Sequence, residues 1–95
     1  MLDDIASTGG SLLESAKALN EQEAKSIVAA TVHAVLCSGA PKKIDKSKIL
    51  DRLYVTDTLP KHWESDKIET ITIVPLVAEA IHRINRGKSL GPLFK

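Results

Sequence analysis

The sequence has few of the features that mark secreted, membrane-spanning or nucleic-acid-binding proteins. Its one cysteine, Cys37, cannot form an internal disulfide, which favours a reducing compartment. No apolar run reaches the length of a membrane span, and acids at positions 3 and 4 argue against a secretory signal. Lys and Arg number 13 and Asp and Glu number 12, so a net charge of +1 offers no strong field for nucleic acid or an anionic membrane. We therefore expect a soluble cytoplasmic protein.

Aromatic residues are also scarce, since Tyr54, Trp63 and Phe94 are the only three. Hydrophobic residues still make up 43% of the chain, so its core must be built mainly from Ile, Val, Leu and Ala. Aliphatic strands packed against Ala-rich helices are typical of α/β layered folds. A chain of 95 residues is sufficient for one domain at most.

Hydrophobic spacing predicts helices and strands in alternation. The predicted elements are a helix over 10–20 that Asn20 can cap, a strand over about 26–32, a short helix within 42–50 that Asp45 can cap, strands over 52–56 and 69–74, and a helix from Pro75 to Asn85 that Gly87 stops. A loop over 38–41 and a polar linker over 61–66 complete the assignment. Parallel strands with right-handed crossovers follow from this alternation, with ligands expected beyond the carboxyl ends of the strands.

The segment 24–36 allows two interpretations. Asn20 with Glu23 is a possible capping box that would open a second helix. The β-branched pairs at 27–28 and 31–32, in a run that is apolar on both faces, favour a buried parallel strand instead. We predict the strand, because the preceding motif suits a strand–helix–strand unit.

The opening stretch of the chain carries the chemistry. Asp3 and Asp4, expected at the end of a strand, can accept hydrogen bonds from hydroxyl groups. The small residues that follow bring glycine backbone, hydroxyl donors and a helix N-terminus together, which suits a phosphate monoester. A ligand that carries a diol at one end and a phosphate monoester at the other is a sugar phosphate. The alternative is an ordinary strand–turn–helix corner, because Gly-Gly pairs are common in turns.

The complete string is more specific than its Gly-Gly pair. It resembles the phosphoribosyl-diphosphate (PRPP) binding motif of type I phosphoribosyltransferases and PRPP synthetases, and it reads Asp3-Asp4-Ile5-Ala6-Ser7-Thr8-Gly9-Gly10-Ser11. Ser7 stands where many bacterial members have an acid, and Ser11 where Thr is commoner. We call residues 3–11 the sugar-phosphate loop.

Four further segments resemble PRPP synthetases in the same order along the chain. They are Val32-His33-Ala34-Val35-Leu36, Thr56-Asp57-Thr58-Leu59-Pro60, the helix Leu76-Val77-Ala78-Glu79-Ala80-Ile81-His82-Arg83-Ile84, and the ending Gly87-Lys88-Ser89-Leu90-Gly91-Pro92-Leu93-Phe94. Together with the sugar-phosphate loop they are distributed along nearly the whole chain, which therefore resembles the C-terminal part of a ribose-phosphate diphosphokinase. The resemblance implies a phosphoribosyltransferase-like, Rossmann-like parallel sheet with flanking helices. We expect it to be incomplete at the N-terminus, because only two residues precede the acid pair.

The resemblance also implies a reaction, in which ATP and ribose 5-phosphate give AMP and PRPP with Mg²⁺. Asp3 and Asp4 would bind ribose hydroxyls, and the 5-phosphate would contact Ser7, Thr8, Gly9, Gly10 and Ser11. The ATP site, the Mg²⁺ ligands and a mobile basic loop are expected upstream, and the full-length protein is expected to be a homo-oligomer. The chain alone is expected to bind ribose 5-phosphate or PRPP weakly and not to turn over.

The sequence also allows two other classes of protein. The chain could belong to a phosphoribosyltransferase, or it could be a catalytically silent PRPP-synthetase-like binding module. A structural role is predicted for His33 at a strand end, a solvent- or subunit-facing position for His82, and a buried position for Cys37. The basic stretch over 42–52 is interspersed with acids and is predicted to be a solvated face.

Overall fold

A computed structural model of the chain describes residues 1–94, in which four parallel strands form one sheet in the order β1-β2-β3-β4. The strands are β1 (Leu2–Ala6), β2 (Val28–Ala34), β3 (Arg52–Thr56) and β4 (Ile68–Ile71). The helices are α1 (Gly10–Glu21), α2 (Ala40–Lys46) and α3 (Val74–Asn85), followed by a short 3-10 helix, Gly91–Phe94. The predicted parallel α/β class is confirmed. No helix within residues 1–94 is long and apolar enough to cross a membrane.

The strand register places the core on one face of the sheet. Ala29 pairs with Leu53 and Thr31 pairs with Val55, and all four residues are buried. Paired residues of parallel strands project from the same face, so these side chains form one buried layer. Ala16 of α1 and the α2 residues Ala40 and Ile44 belong to the same hydrophobic cluster. This face is covered by α1 and α2 because consecutive right-handed crossovers place their helices on the same side.

The opposite face carries exposed apolar side chains. Leu2, Val28, Val32 and Ile71, which we call the open face, are 85%, 48%, 40% and 55% exposed. On the same side, Arg52 and Glu69 form an ion pair of 3.2 Å. Helix α3 likewise buries none of its residues, although its apolar positions recur at the predicted helical spacing. The core is therefore one-sided apart from Ala6 and Ala34, which alternate onto the opposite face near the ends of β1 and β2.

The junction between α1 and β2 differs from the prediction only in its boundaries. Helix α1 ends with Gln22 as its C-cap instead of Asn20, and Glu23 follows with a φ of 64°. Glu23 is thus the turn residue after α1, so the alternative of a second helix is excluded. Strand β2 begins at Val28 instead of residue 26, because Ile27 is held by Asp51, whose Oδ2 accepts from the Ile27 N–H at 2.6 Å.

The helix predicted within 42–50 is displaced towards the N-terminus. Helix α2 starts at Ala40 because Gly39, with a φ of 89°, is its N-cap and Pro41 lies in its first turn. Proline suits a first helical turn, where its missing N–H costs no hydrogen bond. The prediction of a loop through Pro41 is therefore wrong, and so is that of Asp45 as a cap, since Asp45 lies inside the helix.

Strand β4 is shorter than predicted. It ends at Ile71 because the Asp57 carboxylate accepts hydrogen bonds from the Thr72 hydroxyl at 2.5 Å and the Ile73 N–H at 2.9 Å. The chain then turns into α3, with Pro75 in the first helical turn and Gly87, at a φ of 66°, beyond its end. The predictions for the proline and for the glycine stop are confirmed.

The segment 61–66 is a linker, as predicted, but one of its side chains packs into the hydrophobic core. Trp63 is only 6% exposed and belongs to the hydrophobic core cluster. The imidazole of His62 meets its indole edge-on, with ring centroids 5.4 Å apart. One large aromatic side chain therefore fills space that a linker of polar residues would leave empty.

Paired isoleucine truncations test the one-sided core. Ile44→Ala removes a fully buried side chain, so it should lower the free energy of unfolding by about 2–5 kcal/mol. Ile84→Ala makes the same chemical change at a position that is 64% exposed, and it should cost less than about 0.5 kcal/mol. Urea unfolding followed by circular dichroism measures both, and equal losses would contradict the assignment of the core.

Candidate functional site

The two acids of the sugar-phosphate loop lie within strand β1. They were predicted at the strand end, which is wrong because Ile5 and Ala6 continue the pairing, opposite His33 and Ala34. Successive strand residues project to opposite faces, so Asp3 and Asp4 point away from each other. The Asp3 carboxylate accepts a hydrogen bond from the N–H of Asp4 at 2.8 Å.

The glycines form the turn that starts α1. Gly9 is the N-cap with a φ of 82°, a conformation in which a side chain would be strained. The Gly10 N–H donates to Thr8 Oγ1 at 3.3 Å, and the Leu13 N–H makes a helical bond to the carbonyl of Gly9 at 3.0 Å. Helix geometry leaves the first-turn N–H groups of Ser11 and Leu12 without intrahelical acceptors, at the positive end of the helix dipole.

A cleft of about 130 Å³ lies between this turn and strand β1. Its lining residues are Asp3, Ile5, Ala6, Ser7, Thr8, Gly9, Ser11 and Leu12. Five of the predicted ligand-binding residues are thus brought together, whereas Asp4 and Gly10 are not among the lining residues. The cleft combines one carboxylate with hydroxyl groups and helix N–H groups, which is the donor and acceptor set that a sugar phosphate needs.

The chain after β2 contacts the sugar-phosphate loop directly. The N–H of Leu36 donates to the carbonyl of Ala6 at 2.9 Å, and the N–H of Cys37 donates to the carbonyl of Ser7 at 2.8 Å. Cys37 is exposed, so the prediction of a buried thiol is wrong. The reason is the left-handed backbone of Leu36, at a φ of 43°, which buries Leu36 and turns Cys37 outward. A left-handed leucine has no signal in the sequence.

A polar cluster lies at the ends of strands β2 and β3. His33 Nδ1 is 2.8 Å from Thr58 Oγ1, and the Thr56 hydroxyl donates to the carbonyl of Val32 at 2.6 Å. These bonds tie the segment that follows β3 to β2. His33 is half-buried and hydrogen-bonded here, in agreement with a structural role, and His82 is exposed as predicted.

Two further features lie near this edge of the sheet. A cavity of about 570 Å³ is lined by Leu36, Cys37, Ser38, Gly39, Pro41, Lys42, His62, Trp63 and Glu64. Asp57, beyond β3, is held by the hydroxyl of Thr72 and the N–H of Ile73, and these bonds lower the pKa of its carboxyl below the ordinary value of 3.8. Across residues 1–94, no three His, Cys, Asp or Glu side chains come together in a way that could hold a metal ion.

Four parallel strands with a glycine turn at the start of the first helix define an open parallel α/β domain, a class of fold in which sites lie outside the carboxyl ends of the strands. The sequence matches the model of one family, the phosphoribosyl synthetase-associated domain, over residues 1–95. The chain belongs to this family.

Individual relatives agree with the family assignment. The chain is 39% identical over 94 residues to a ribose-phosphate pyrophosphokinase of Campylobacter jejuni, covering 99% of this chain and 30% of that protein. It is 42% identical over 94 residues to the enzyme of the same name from Helicobacter pylori, covering 99% of this chain and 29% of that protein. The chain thus spans about 30% of the length of the curated relatives it matches.

A solved structure shares the fold. The crystal structure of phosphoribosylpyrophosphate synthetase from Mycobacterium smegmatis superimposes with a TM-score of 0.84 at 28% sequence identity. The match covers 90% of this chain and 29% of that one. The phosphoribosyltransferase-like sheet expected from the sequence is therefore supported by both sequence and structure.

The hydrogen bonds to Asp57 generate a pH prediction. The pKa of the Asp57 carboxyl is lower in the folded chain than in the unfolded chain. The stabilisation from these hydrogen bonds is therefore fully present above pH 3.8, and it is lost as the pH falls through the pKa of the folded state. A carboxyl-carbon NMR titration should therefore give a midpoint below 3.8 for Asp57. Thr72→Val removes the hydrogen bond that lowers the Asp57 pKa most, so it should move the midpoint up towards 3.8. Thr70→Val, two residues earlier in β4, should not move it. A wild-type midpoint at or above 3.8 would contradict the geometry.

Proposed function

We propose that this chain is the part of a ribose-phosphate diphosphokinase that binds ribose 5-phosphate and PRPP. The whole reaction would transfer diphosphate from ATP to C1 of ribose 5-phosphate for nucleotide biosynthesis. The observation that carries the proposal is the cleft at the end of β1, where the Asp3 carboxylate shares one concavity with Ser7, Thr8 and the start of α1. The names of the relatives, all ribose-phosphate pyrophosphokinases, favour this reaction over that of a phosphoribosyltransferase.

The phosphate would lie at the N-terminus of α1. The unpaired N–H groups of Ser11 and Leu12 are available there, and both residues line the cleft. The hydroxyl groups of Ser7, Thr8 and Ser11 supply further donors, and the positive end of a helix of 12 residues favours an anion. Gly9 permits the left-handed turn that makes this arrangement possible, and Gly10, which has no Cβ, keeps the backbone accessible.

The ribose hydroxyls would contact the acids. A carboxylate accepts two or more hydrogen bonds, so it can bind vicinal hydroxyl groups. Asp3 lines the cleft and Asp4 does not, so we assign the larger contribution to Asp3. Asp4, on the other side of the strand, would reach the ligand only from its edge.

The chemical step requires groups that we place outside this chain. Phosphoryl transfer depends on positioning and on neutralising the charge that develops on the transferred group. The first basic residue of the chain is Lys17, well beyond the sugar-phosphate loop in sequence. The Mg²⁺ ligands that the family resemblance implies are placed outside this chain as well. ATP, Mg²⁺ and subunit contacts would act in the complete cytoplasmic homo-oligomer.

Calorimetric titration with ribose 5-phosphate tests the cleft. Asp3→Asn should weaken binding roughly ten- to hundredfold, because a hydrogen bond to a charged group contributes about 1.5–3 kcal/mol. Asp4→Asn should weaken binding less. Asp66→Asn makes the same change at an exposed residue outside the cleft and serves as the control. Equal affinity in the Asp3 and Asp66 variants would contradict the proposed contact.

A second experiment separates binding from catalysis. The purified chain, incubated with ATP, Mg²⁺ and ribose 5-phosphate, should form no AMP or PRPP, because no cation that neutralises the transferred group lies in its loop sequence. Chromatographic detection of AMP measures the outcome. PRPP formation by the chain alone would refute the assignment of the catalytic groups to other parts of the protein. Failure to bind ribose 5-phosphate at all would refute the proposed function itself.

A further inference from the structure

We propose that the turn over residues 35–37, which we call the β2 turn, positions Ser7 and so orients the phosphate end of the sugar-phosphate loop. This inference rests on the proposed function, because it gives the turn a role in binding the same ligand. Its contacts with the loop are of two kinds, backbone hydrogen bonds and one side-chain contact. Each kind has a separate consequence for Ser7.

The backbone bonds fix where Ser7 lies. The N–H groups of Leu36 and Cys37 donate to consecutive carbonyls, those of Ala6 and Ser7, at 2.9 and 2.8 Å. These bonds lie beyond the last register pair of β1 with β2, Ala6 with Ala34, and they join consecutive N–H groups to consecutive carbonyls, unlike the alternating bonds of a regular parallel ladder. The chain of the loop is therefore held on its β2 side at the residue where it leaves the strand.

The side-chain contact fixes where the Ser7 hydroxyl points. Ser7 Oγ and Cys37 Sγ are 3.2 Å apart, and both residues are exposed at this edge. A thiol is a weak donor, whereas a hydroxyl is both a donor and an acceptor. If the Cys37 S–H donates to Ser7 Oγ, the hydroxyl hydrogen of Ser7 is left free for a ligand oxygen in the cleft that Ser7 lines. In this arrangement Cys37 is a positioning residue and does not touch the ligand.

The conformation of Leu36 makes the contact possible. Leu36 has a φ of 43°, which L-residues adopt rarely and at an energetic cost. Its side chain is fully buried, so the core retains it in this conformation. The left-handed residue immediately precedes Cys37, whose Sγ lies beside Ser7 Oγ. Strained residues of this kind are concentrated at functional sites.

The β2 turn is also braced from the side away from the loop. His62 Nε2 is 3.0 Å from the carbonyl of Val35, and the imidazole packs edge-on against the buried Trp63. Leu36 and Cys37 line the larger cavity of about 570 Å³, whereas Ser7, which Cys37 contacts, lines the cleft of about 130 Å³. Through the His62–Val35 and Cys37–Ser7 contacts, the β2 turn connects the linker over 61–66 to the phosphate end of the cleft.

The test compares substitutions at Cys37 by two readouts. Cys37→Val removes the donor and should weaken ribose 5-phosphate binding about three- to tenfold, the range for a net hydrogen bond. Cys37→Ser restores a hydroxyl donor and should recover most of that loss. Because Cys37 is exposed, thermal unfolding should change little in either variant. Ser38→Ala, at the exposed residue beyond the turn, is the matched control and should bind as the wild type does.

A Ser7→Ala, Cys37→Val double variant completes the experiment. If Cys37 acts through Ser7, the double variant should bind no more weakly than Ser7→Ala alone. In the ligand-free chain, amide NMR shifts of Ser7 and Thr8 should move in Cys37→Val and not in Ser38→Ala. Wild-type affinity in Cys37→Val, or additive losses in the double variant, would overturn this inference while leaving the proposed function intact. Absence of binding by the wild type would overturn both.

Discussion

The parallel pairing of β1 with β2 is the constraint on which the rest of the structure depends. Its register sets Ile5 beside His33 and Ala6 beside Ala34, so both strands end at the same edge of the sheet. The glycine turn and the β2 turn therefore leave the sheet as neighbours. The hydrogen bonds from Leu36 and Cys37 to the loop follow from this adjacency. Without that register, the sugar-phosphate loop would lack its backbone hydrogen bonds to the β2 turn and would be held only at the start of α1.

The same topology explains why the core is one-sided. Strands in sequential order, joined by right-handed crossovers, place α1 and α2 on one face of the sheet. Ala16, Ala40 and Ile44 pack there, while the open face and the apolar side of α3 remain exposed. The chain spans about 30% of its curated relatives. The cleft of about 130 Å³ is lined by residues of β1, the glycine turn and the first turn of α1, at the edge of the sheet where these elements meet.

Much of the fold and the composition of the cleft could be predicted from the sequence. Sequence signals are strongest at positions whose backbone conformation suits only one or two residue types. Gly9 at a left-handed turn, Pro75 in a first helical turn and Gly87 after a helix end all lie where the pattern predicts. The start of α2 differs from the prediction, which places Gly39 in a loop, although Gly39 followed by Pro41 suits a helix that begins at Ala40.

The sequence by itself determined the α/β class, the family resemblance and the residues of the sugar-phosphate loop, because these depend on residue type and spacing along the chain. Tertiary structure alone decided that Asp3 lines the cleft while Asp4 does not, that Trp63 is buried, and that Cys37 lies beside Ser7. The first depends on which face of β1 the glycine turn and α1 cover, and the other two depend on contacts between segments distant in sequence. Leu36 shows the physical reason: its left-handed backbone is disfavoured locally and persists because burial of its side chain and hydrogen bonds to β1 hold it there.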